Sequence, residues 1–334
     1  MQFTTTGKIL IGLVVAALLG FLYYKFAPEK GQMSQETTQS YASPEPSSSS
    51  SSSTASSDNS TSVASDVPAF SYTAPEPVDG KLKGVVELGA SGFNSFIVRI
   101  DKQKNWKLEK ADFGNSLVIE NMATEDDIRI GLKKYIAGML DYGVSGRDIH
   151  FVVSSGALKS ETTPKIIAVL KKMTYMVNTV TPEQEGKLGL NCVLPAEFES
   201  KAFVTDIGSG NTKIAWKTNG TTASLEAPGA KYFEKGTADN VVSAEVSDKA
   251  KQIPASKTQL CFIIGGVPFE LAKEVRKGKE RYTVLNAPDA YKPEKAKGKA
   301  GVNIYKAVAD ATGCKQFVFD WDANFTIGFL LGLP

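Results

Sequence analysis

Two acidic residues each stand at the end of an apolar stretch and directly before a glycine-rich turn. Glu87 precedes the turn at residues 89–92, and Asp206 precedes the turn at residues 208–211. A turn without bulky side chains lets backbone N–H groups approach a phosphate group. A carboxylate at the strand end can hold a hydrated divalent cation that bridges phosphate oxygens. The pattern therefore predicts phosphate chemistry at both turns.

The two turns are copies of one motif. At a spacing of 119 residues, Glu87 aligns with Asp206 and Gly89 aligns with Gly208. One glycine-rich hairpin is a weak signal, because most such hairpins are plain turns. Two hairpins at corresponding positions of a repeated ββ(β)αβα unit are a much stronger signal, and they predict a duplicated α/β fold.

Strand and helix signals alternate in both halves. In the first half we predict strands over 83–87, 95–101, 105–112, 149–153 and 175–180, and helices over 124–141, over 164–172 and from Pro182. In the second half we predict strands over 202–207, 212–217, 222–226, 260–264 and 316–320, and helices over 238–251, after Gly266 and over 324–332.

Residues 272–306 contain ten basic and four acidic residues. We interpret this stretch as a solvated lysine-rich loop or as a rim that attracts a polyanion.

The composition excludes several classes of site. With one histidine, His150, the chain cannot build a His-rich metal site, and a Ser-His-Asp or Cys-His catalyst is disfavoured. The cysteines Cys192, Cys261 and Cys314 are odd in number and far apart, so they predict neither a zinc site nor a disulfide framework. A formal net charge of +2 argues against nucleic acid as a partner.

The N-terminus predicts a membrane anchor over residues 1–30. Residues 9–24 carry no charge, and Lys8 and Lys25 flank them, so residues 8–25 would contact the membrane. The alternative is a cleaved signal peptide, but bulky residues stand where a small-x-small cleavage site would lie. We expect a single-pass protein of a bacterial inner membrane. The positive charges on the two flanks do not determine its orientation.

Residues 31–80 are predicted to be a disordered linker. They contain seven consecutive serines, six acidic residues and no lysine or arginine, so they have little apolar surface to bury. Lobe I is then expected over 81–197 and lobe II over 198–334, with the C-terminal helix packing back on lobe I. The linker would tether these lobes to the membrane.

Five segments together resemble a known family. Residues 87–91 (ELGAS) and 206–212 (DIGSGNT) look like the two phosphate loops of the exopolyphosphatase and guanosine pentaphosphate phosphohydrolase family. Residues 154–159, 181–188 and 261–266 look like three further motifs of that family in the same order. The resemblance covers about residues 84–334. It implies the duplicated ribonuclease-H-like fold of the actin, sugar-kinase and heat-shock-chaperone ATPases, with two lobes around a phosphate cleft.

The resemblance also implies a mechanism. Mg²⁺ held through water by Glu87 and Asp206 would orient the phosphate chain of polyphosphate or of a nucleotide polyphosphate. Glu185 would activate the attacking water, and Gly265 and Gly266 would border a nucleoside. The implied phosphate-binding residues are Gly89, Ala90, Ser91, Gly92, Lys159, Gly208, Ser209, Gly210, Asn211 and Thr212. The implied protein is a membrane-tethered, Mg²⁺-dependent hydrolase of phosphoanhydrides.

Departures from the family pattern leave a second function open. Glu87 replaces the usual aspartate, Ala90 and Gly92 replace hydroxyl residues, and Lys159 replaces an arginine, which loses the bidentate fork. Glu185 by itself is also typical of a solvated acid in the first turn of a helix. The alternative is a weak or inactive actin-like nucleotide-binding scaffold, with protein partners or a second copy of the chain as its partners.

Overall fold

A computed structural model describes residues 70–90, 92–114 and 124–334, and these residues form one compact unit. No helix within these residues is long and apolar enough to cross a membrane. The predicted anchor, the linker up to residue 69 and Ser91 lie outside the described residues.

Two sheets contain the strands of the described residues. The first sheet has the order β3-β2-β1-β4-β5, with β1 Lys81–Gly89, β2 Gly92–Ile100, β3 Trp106–Phe113, β4 Ile149–Val153 and β5 Val177–Thr179. The second has the order β10-β11-β9-β6-β7-β8, with β6 Ala202–Ile207, β7 Asn211–Thr218, β8 Thr221–Pro228, β9 Leu260–Ile264, β10 Tyr282–Val284 and β11 Phe317–Asp320.

The two sheets repeat one topology. In each, the first strand pairs antiparallel with the second and parallel with the fourth, so β1, β2 and β4 correspond to β6, β7 and β9. β10 adds an antiparallel edge strand to the second sheet alone. The equivalent registers place Glu87 opposite Asn94 and Asp206 opposite Lys213. The duplication inferred from the sequence is thus present in the strand order and in the register.

Helices pack on the faces of these sheets. They are α1 Glu125–Asp141, α2 Thr163–Lys172, α3 Pro182–Val193, α4 Asp239–Ala250, α5 Gly266–Val275, α6 Ala296–Thr312 and α7 Phe325–Gly332. Three clusters of buried apolar side chains fill the space between sheets and helices. The C-terminal helix α7 contacts both α3 and β1. It therefore connects the end of the chain to the first sheet.

The stretch at residues 272–306 is not a loop. It holds the end of α5, the strand β10 and the first eleven residues of α6. α6 buries Ile304, Tyr305 and Val308, whose spacing is helical. Exposed lysines crowd the start of this helix and hide the apolar periodicity that follows. The interpretation as a loop was wrong for this reason.

Two aromatic residues precede β1 and pack on the second sheet. The ring of Phe70 lies 5.5 Å from that of Phe198 and 5.8 Å from that of Phe262, and Tyr72 lies 5.4 Å from Tyr282. These edge-on and tilted contacts are typical of favourable aromatic pairs. Packed structure therefore begins by Phe70, ten residues before the end of the expected linker.

Candidate phosphate site at the ends of two hairpins

Three turns meet at one point. They follow β1, β4 and β6, and they contain Ala90, Gly156 and Gly210. A Cβ atom added to Gly156 would lie 3.3 Å from the Cβ of Ala90 and 3.4 Å from the Cα of Gly210. The structure thus brings the two predicted phosphate turns together with the segment between them. The absence of side chains at Gly156 and Gly210 is what allows this close approach.

Glu87 lies at this point and is held by two amides. The side chains of Asn94 and Asn324 each donate a hydrogen bond to Glu87 Oε2, at 3.0 Å in both cases. Burial raises the pKa of this carboxyl to about 7, the amide hydrogen bonds oppose the rise, and the nearby Glu185 and Asp206 carboxylates add to it. Near neutral pH the Glu87 side chain is therefore divided between its protonated and ionised forms.

Glu185 stands in the first turn of α3. Thr181 caps this helix in a capping box with Gln184, and Pro182 occupies the first helical position. The cap fixes the start of the helix so that Glu185 faces inward while Glu183 stays exposed. The Glu185 side chain keeps 3% of its surface exposed, so it is not a solvated first-turn acid.

Both oxygens of Glu185 are occupied. Oε2 accepts hydrogen bonds from the backbone N–H of Ser155 at 2.9 Å and from the Ser155 hydroxyl at 2.5 Å. Oε1 accepts from the ammonium of Lys213. A carboxylate buried with these donors is compensated in charge and in hydrogen bonding. In this arrangement Glu185 is the centre of a polar network.

Lys213 is the functional candidate that sequence reasoning missed. It lies on β7 with 4% of its side chain exposed, and its Nζ is 3.9 Å from Asp206 Oδ2. Burial lowers the pKa of this ammonium, but the Asp206 and Glu185 carboxylates outweigh that effect and raise the pKa above its ordinary value. The alignment of the repeats could have found it, because at the same spacing of 119 residues Lys213 aligns with Asn94.

Asp206 completes the cluster. Burial raises its pKa, the Lys213 ammonium lowers it, and the Glu185 carboxylate raises it, with a net upward shift. Glu87, Asp206 and Glu185 thus gather around a single ammonium. The family resemblance implies one site for these three acids, and in the structure all three interact electrostatically with Lys213 or with one another.

The second predicted phosphate turn is internally bonded. Gly208 N–H donates to the Asn211 carbonyl at 3.1 Å, so this donor already serves the hairpin. Asn211 Nδ2 donates to Ser155 Oγ and to Glu226 Oε1, both at 2.8 Å. The Thr212 hydroxyl donates to the Pro228 carbonyl at 2.8 Å. These side chains hold the turn in place, and the phosphate contact implied for Asn211 and Thr212 stays a prediction.

Lys159 lies at the rim of the same network. Its Nζ is 3.4 Å from Glu226 Oε1, and 56% of its side chain is exposed. Through Glu226 it connects to Asn211 and then to Ser155. An exposed ion pair of this kind contributes little to stability, and its cation is available to an anion that approaches from solvent.

The acidic residues do not fit Mg²⁺. Within the described part of the chain, no group of three or more His, Cys, Asp or Glu side chains is arranged to hold a metal ion. Glu87 Oε2 faces two amide N–H groups, and the other two acids face the Lys213 ammonium. Mg²⁺ requires near-octahedral oxygen ligands at about 2.0–2.1 Å. The Lys213 ammonium lies 3.9 Å from Asp206 Oδ2, so its positive charge lies beside one of the two acids implied to hold the cation.

Solved structures share this architecture. A Ppx/GppA phosphatase from Aquifex aeolicus superposes with a TM-score of 0.56 at 17% identity, covering 75% of this chain and 98% of that one. An exopolyphosphatase from Cytophaga hutchinsonii superposes with a TM-score of 0.59 at 15% identity, covering 76% and 99%. This chain has the Ppx/GppA fold. No family model and no curated protein matches the sequence.

Gly265, one of the two glycines implied to border a nucleoside, also has a packing role. Gly265 has φ of +111°, and a Cβ there would lie 2.3 Å from the Ile207 carbonyl oxygen. Glycine is therefore required for α5 to begin against the end of β6. Gly266 follows as the first residue of α5, near the Lys297 ammonium. The nucleoside role of these two glycines stays a prediction.

Histidine and cysteine take no part in the polar cluster of this Ppx/GppA fold. His150 lies buried on β4, with its ring centroid 5.8 Å from that of Phe329. Burial raises the pKa of the Cys192 thiol to about 12 and that of the Cys314 thiol to about 11. Cys261 is also buried, and its pKa is raised. The three thiols behave as small core residues.

Proposed function

We propose that this protein binds the phosphate groups of polyphosphate or of a nucleotide polyphosphate at the three converging turns and hydrolyses a phosphoanhydride bond. The observation that carries the proposal is the convergence of Ala90, Gly156 and Gly210 beside the buried acids. Solved proteins with this fold include a Ppx/GppA phosphatase and an exopolyphosphatase. Those names are consistent with the chemistry that the turns and acids offer.

Glu185 is the proposed general base. It would accept a proton from water while the water oxygen attacks the terminal phosphorus and the bridging P–O bond breaks. The ammonium of Lys213 would meanwhile stabilise negative charge on the phosphoryl oxygens. For this to happen, the contact between Lys213 and Glu185 must lengthen so that Oε1 becomes available to water.

Access to the base requires a change in the turns. Glu185 and Lys213 keep only 3% and 4% of their side-chain surface exposed. The turns at Ala90 and Gly210 approach each other through Gly156. Substrate would therefore reach the acids after these turns separate, and the described arrangement corresponds to the closed site.

The ion pair between Glu185 and Lys213 favours a second candidate function. The Lys213 ammonium occupies Glu185 Oε1, so this oxygen has no free position from which to contact an attacking water. A base held in this way is consistent with a scaffold that binds a phosphate chain or nucleotide without hydrolysing it.

One experiment decides between the two candidates. Phosphate release by the full chain is measured with polyphosphate, ATP and hyperphosphorylated guanosine nucleotides, alongside calorimetric binding. Glu185→Gln should abolish release and retain binding. Glu183→Gln, which alters an exposed acid in the same helical turn, should retain both. Binding without release by the unaltered protein selects the scaffold, and the absence of both rejects the proposed site.

We also propose that residues 8–25 tether the protein to a membrane. The support is the uncharged run at residues 9–24 between Lys8 and Lys25. Extraction of membranes with alkaline carbonate tests this proposal. A tethered protein stays in the pellet, whereas a processed protein is released and lacks its first residues in mass spectrometry.

A further inference from the structure

We propose that the ammonium of Lys213 takes the place of a divalent cation in this site, so that the site binds phosphate groups without a metal ion. The ligand class, a phosphate chain, rests on the proposed function. The claim that a side chain supplies the cation rests on geometry alone and can be tested separately.

The position of the ammonium is the first argument. Lys213 Nζ contacts Glu185 Oε1 and lies 3.9 Å from Asp206 Oδ2. It also lies 3.6 Å from the point that a Cβ on Gly208 would occupy. The cation is therefore beside the second glycine-rich turn and among the acids. A phosphate oxygen placed at this turn would meet a positive charge already present in the protein.

The repeat provides the second argument. Both hairpins place a polar side chain opposite the acid of the first strand, Asn94 opposite Glu87 and Lys213 opposite Asp206. Asn94 donates a neutral hydrogen bond to Glu87. The second copy carries a full positive charge at the equivalent position. The acid of the first hairpin is therefore paired with a neutral amide, whereas the acid of the second hairpin lies beside an ammonium that supplies the cation of the cluster.

The third argument is that Lys213 and a metal ion would compete. The implied Mg²⁺ would use Glu87 and Asp206, and the Lys213 ammonium already lies 3.9 Å from Asp206 Oδ2, so the two positive charges would repel each other. The side chain is nearly fully buried and its β-strand is paired on both edges, with β6 and β8. Moving it away would leave an ammonium without partners, which is costly in a buried position. The Lys213 ammonium, which is part of the chain, is therefore favoured over a metal ion at this position.

The test compares the full chain with two variants. Lys213→Ala removes the proposed cation. Lys217→Ala is the matched control, because Lys217 lies on the same strand and pairs with Glu199, away from the cluster. Calorimetric binding of pyrophosphate is measured in EDTA and in Mg²⁺, and the melting temperature is measured under the same two conditions without pyrophosphate.

The unaltered protein and Lys217→Ala should bind pyrophosphate equally in EDTA and Mg²⁺, and their melting temperatures should not respond to Mg²⁺. Lys213→Ala should bind about 10- to 100-fold more weakly in EDTA, since a charge-assisted hydrogen bond is lost. Mg²⁺ should restore that binding and raise the melting temperature of this variant, because its acids are then free to hold the ion.

Two results overturn the inference. One is that the unaltered protein binds pyrophosphate only with Mg²⁺ or is itself stabilised by Mg²⁺, a measurement that needs no variant to fold. The other is that folded Lys213→Ala shows no response to Mg²⁺. If the unaltered protein binds no pyrophosphate under either condition, the proposed function fails, while the melting temperatures still decide whether Lys213 stands in for a metal.

Discussion

Asn324 donates a hydrogen bond to Glu87 across 237 residues of sequence. The same side chain accepts a hydrogen bond from the Thr326 N–H at 2.8 Å and so caps α7. One amide therefore fixes the start of the C-terminal helix and one acid of the candidate site. Because α7 also packs on α3, which carries Glu185, the end of the chain positions two acids at once.

Glu87→Gln should change how stability depends on pH. The pKa of Glu87 is raised to about 7 in the folded protein, so the stability this carboxyl contributes is present below its unfolded pKa and is lost as pH rises toward 7. The variant should match the unaltered protein near pH 4.5 and exceed it by about 3 kcal/mol at pH 8. Denaturant unfolding across this range measures the difference. Glu183→Gln should show no such trend. If the stability of Glu87→Gln varied with pH in parallel with that of the unaltered protein, the prediction would be contradicted.

Gly328→Ala should destabilise the contact between α7 and α3. A Cβ at Gly328 would lie 2.0 Å from the Leu188 carbonyl oxygen, so the helices must move apart. Overpacking of this kind typically costs about 1–3 kcal/mol. Gly332→Ala is the control in the same helix, since nothing lies within 4 Å of its added Cβ. Thermal unfolding compares the two variants, and equal melting temperatures would show that the contact is loose.

Asn211→Ala should weaken the closed arrangement of the turns. Its amide joins Ser155 of the first half to Glu226 of the second, and the variant leaves both acceptors without that donor. The expected loss in the free energy of unfolding is about 1–3 kcal/mol. Asn240→Ala, at an exposed position of α4, provides the control. Faster hydrogen exchange at residues 208–211 in Asn211→Ala would localise the effect, and unchanged exchange would argue against it.

Phe70→Ala should destabilise the folded unit, although Phe70 lies in the stretch expected to be linker. Its ring packs on Phe198, Phe262 and Tyr282. Loss of these contacts should cost about 1–3 kcal/mol. Val78→Ala, at a position of the same segment that is 71% exposed, should have little effect. Chemical denaturation measures both variants, and equal midpoints would mean that the segment before β1 is only a spacer.

The sequence by itself determined the elements that repeat locally. Apolar stretches that end in Glu87 and Asp206, followed by glycine-rich turns, were enough to predict both hairpins and their duplication. Pro182 at a first helical position was enough to predict the start of α3. These signals are local, because strand and helix periodicity and capping depend on residues a few positions apart.

Tertiary structure alone decided what surrounds each acid. Lys213 and Glu185 are 28 residues apart on different elements, and their contact depends on how α3 packs against the second sheet. Asn324 reaches Glu87 only because α7 folds back onto β1. The start of α6 was hidden for a related reason, since its lysines obscured an apolar face that is defined by the core it meets. Burial and long-range pairing set the charge of this site, and neither can be read from spacing along the chain.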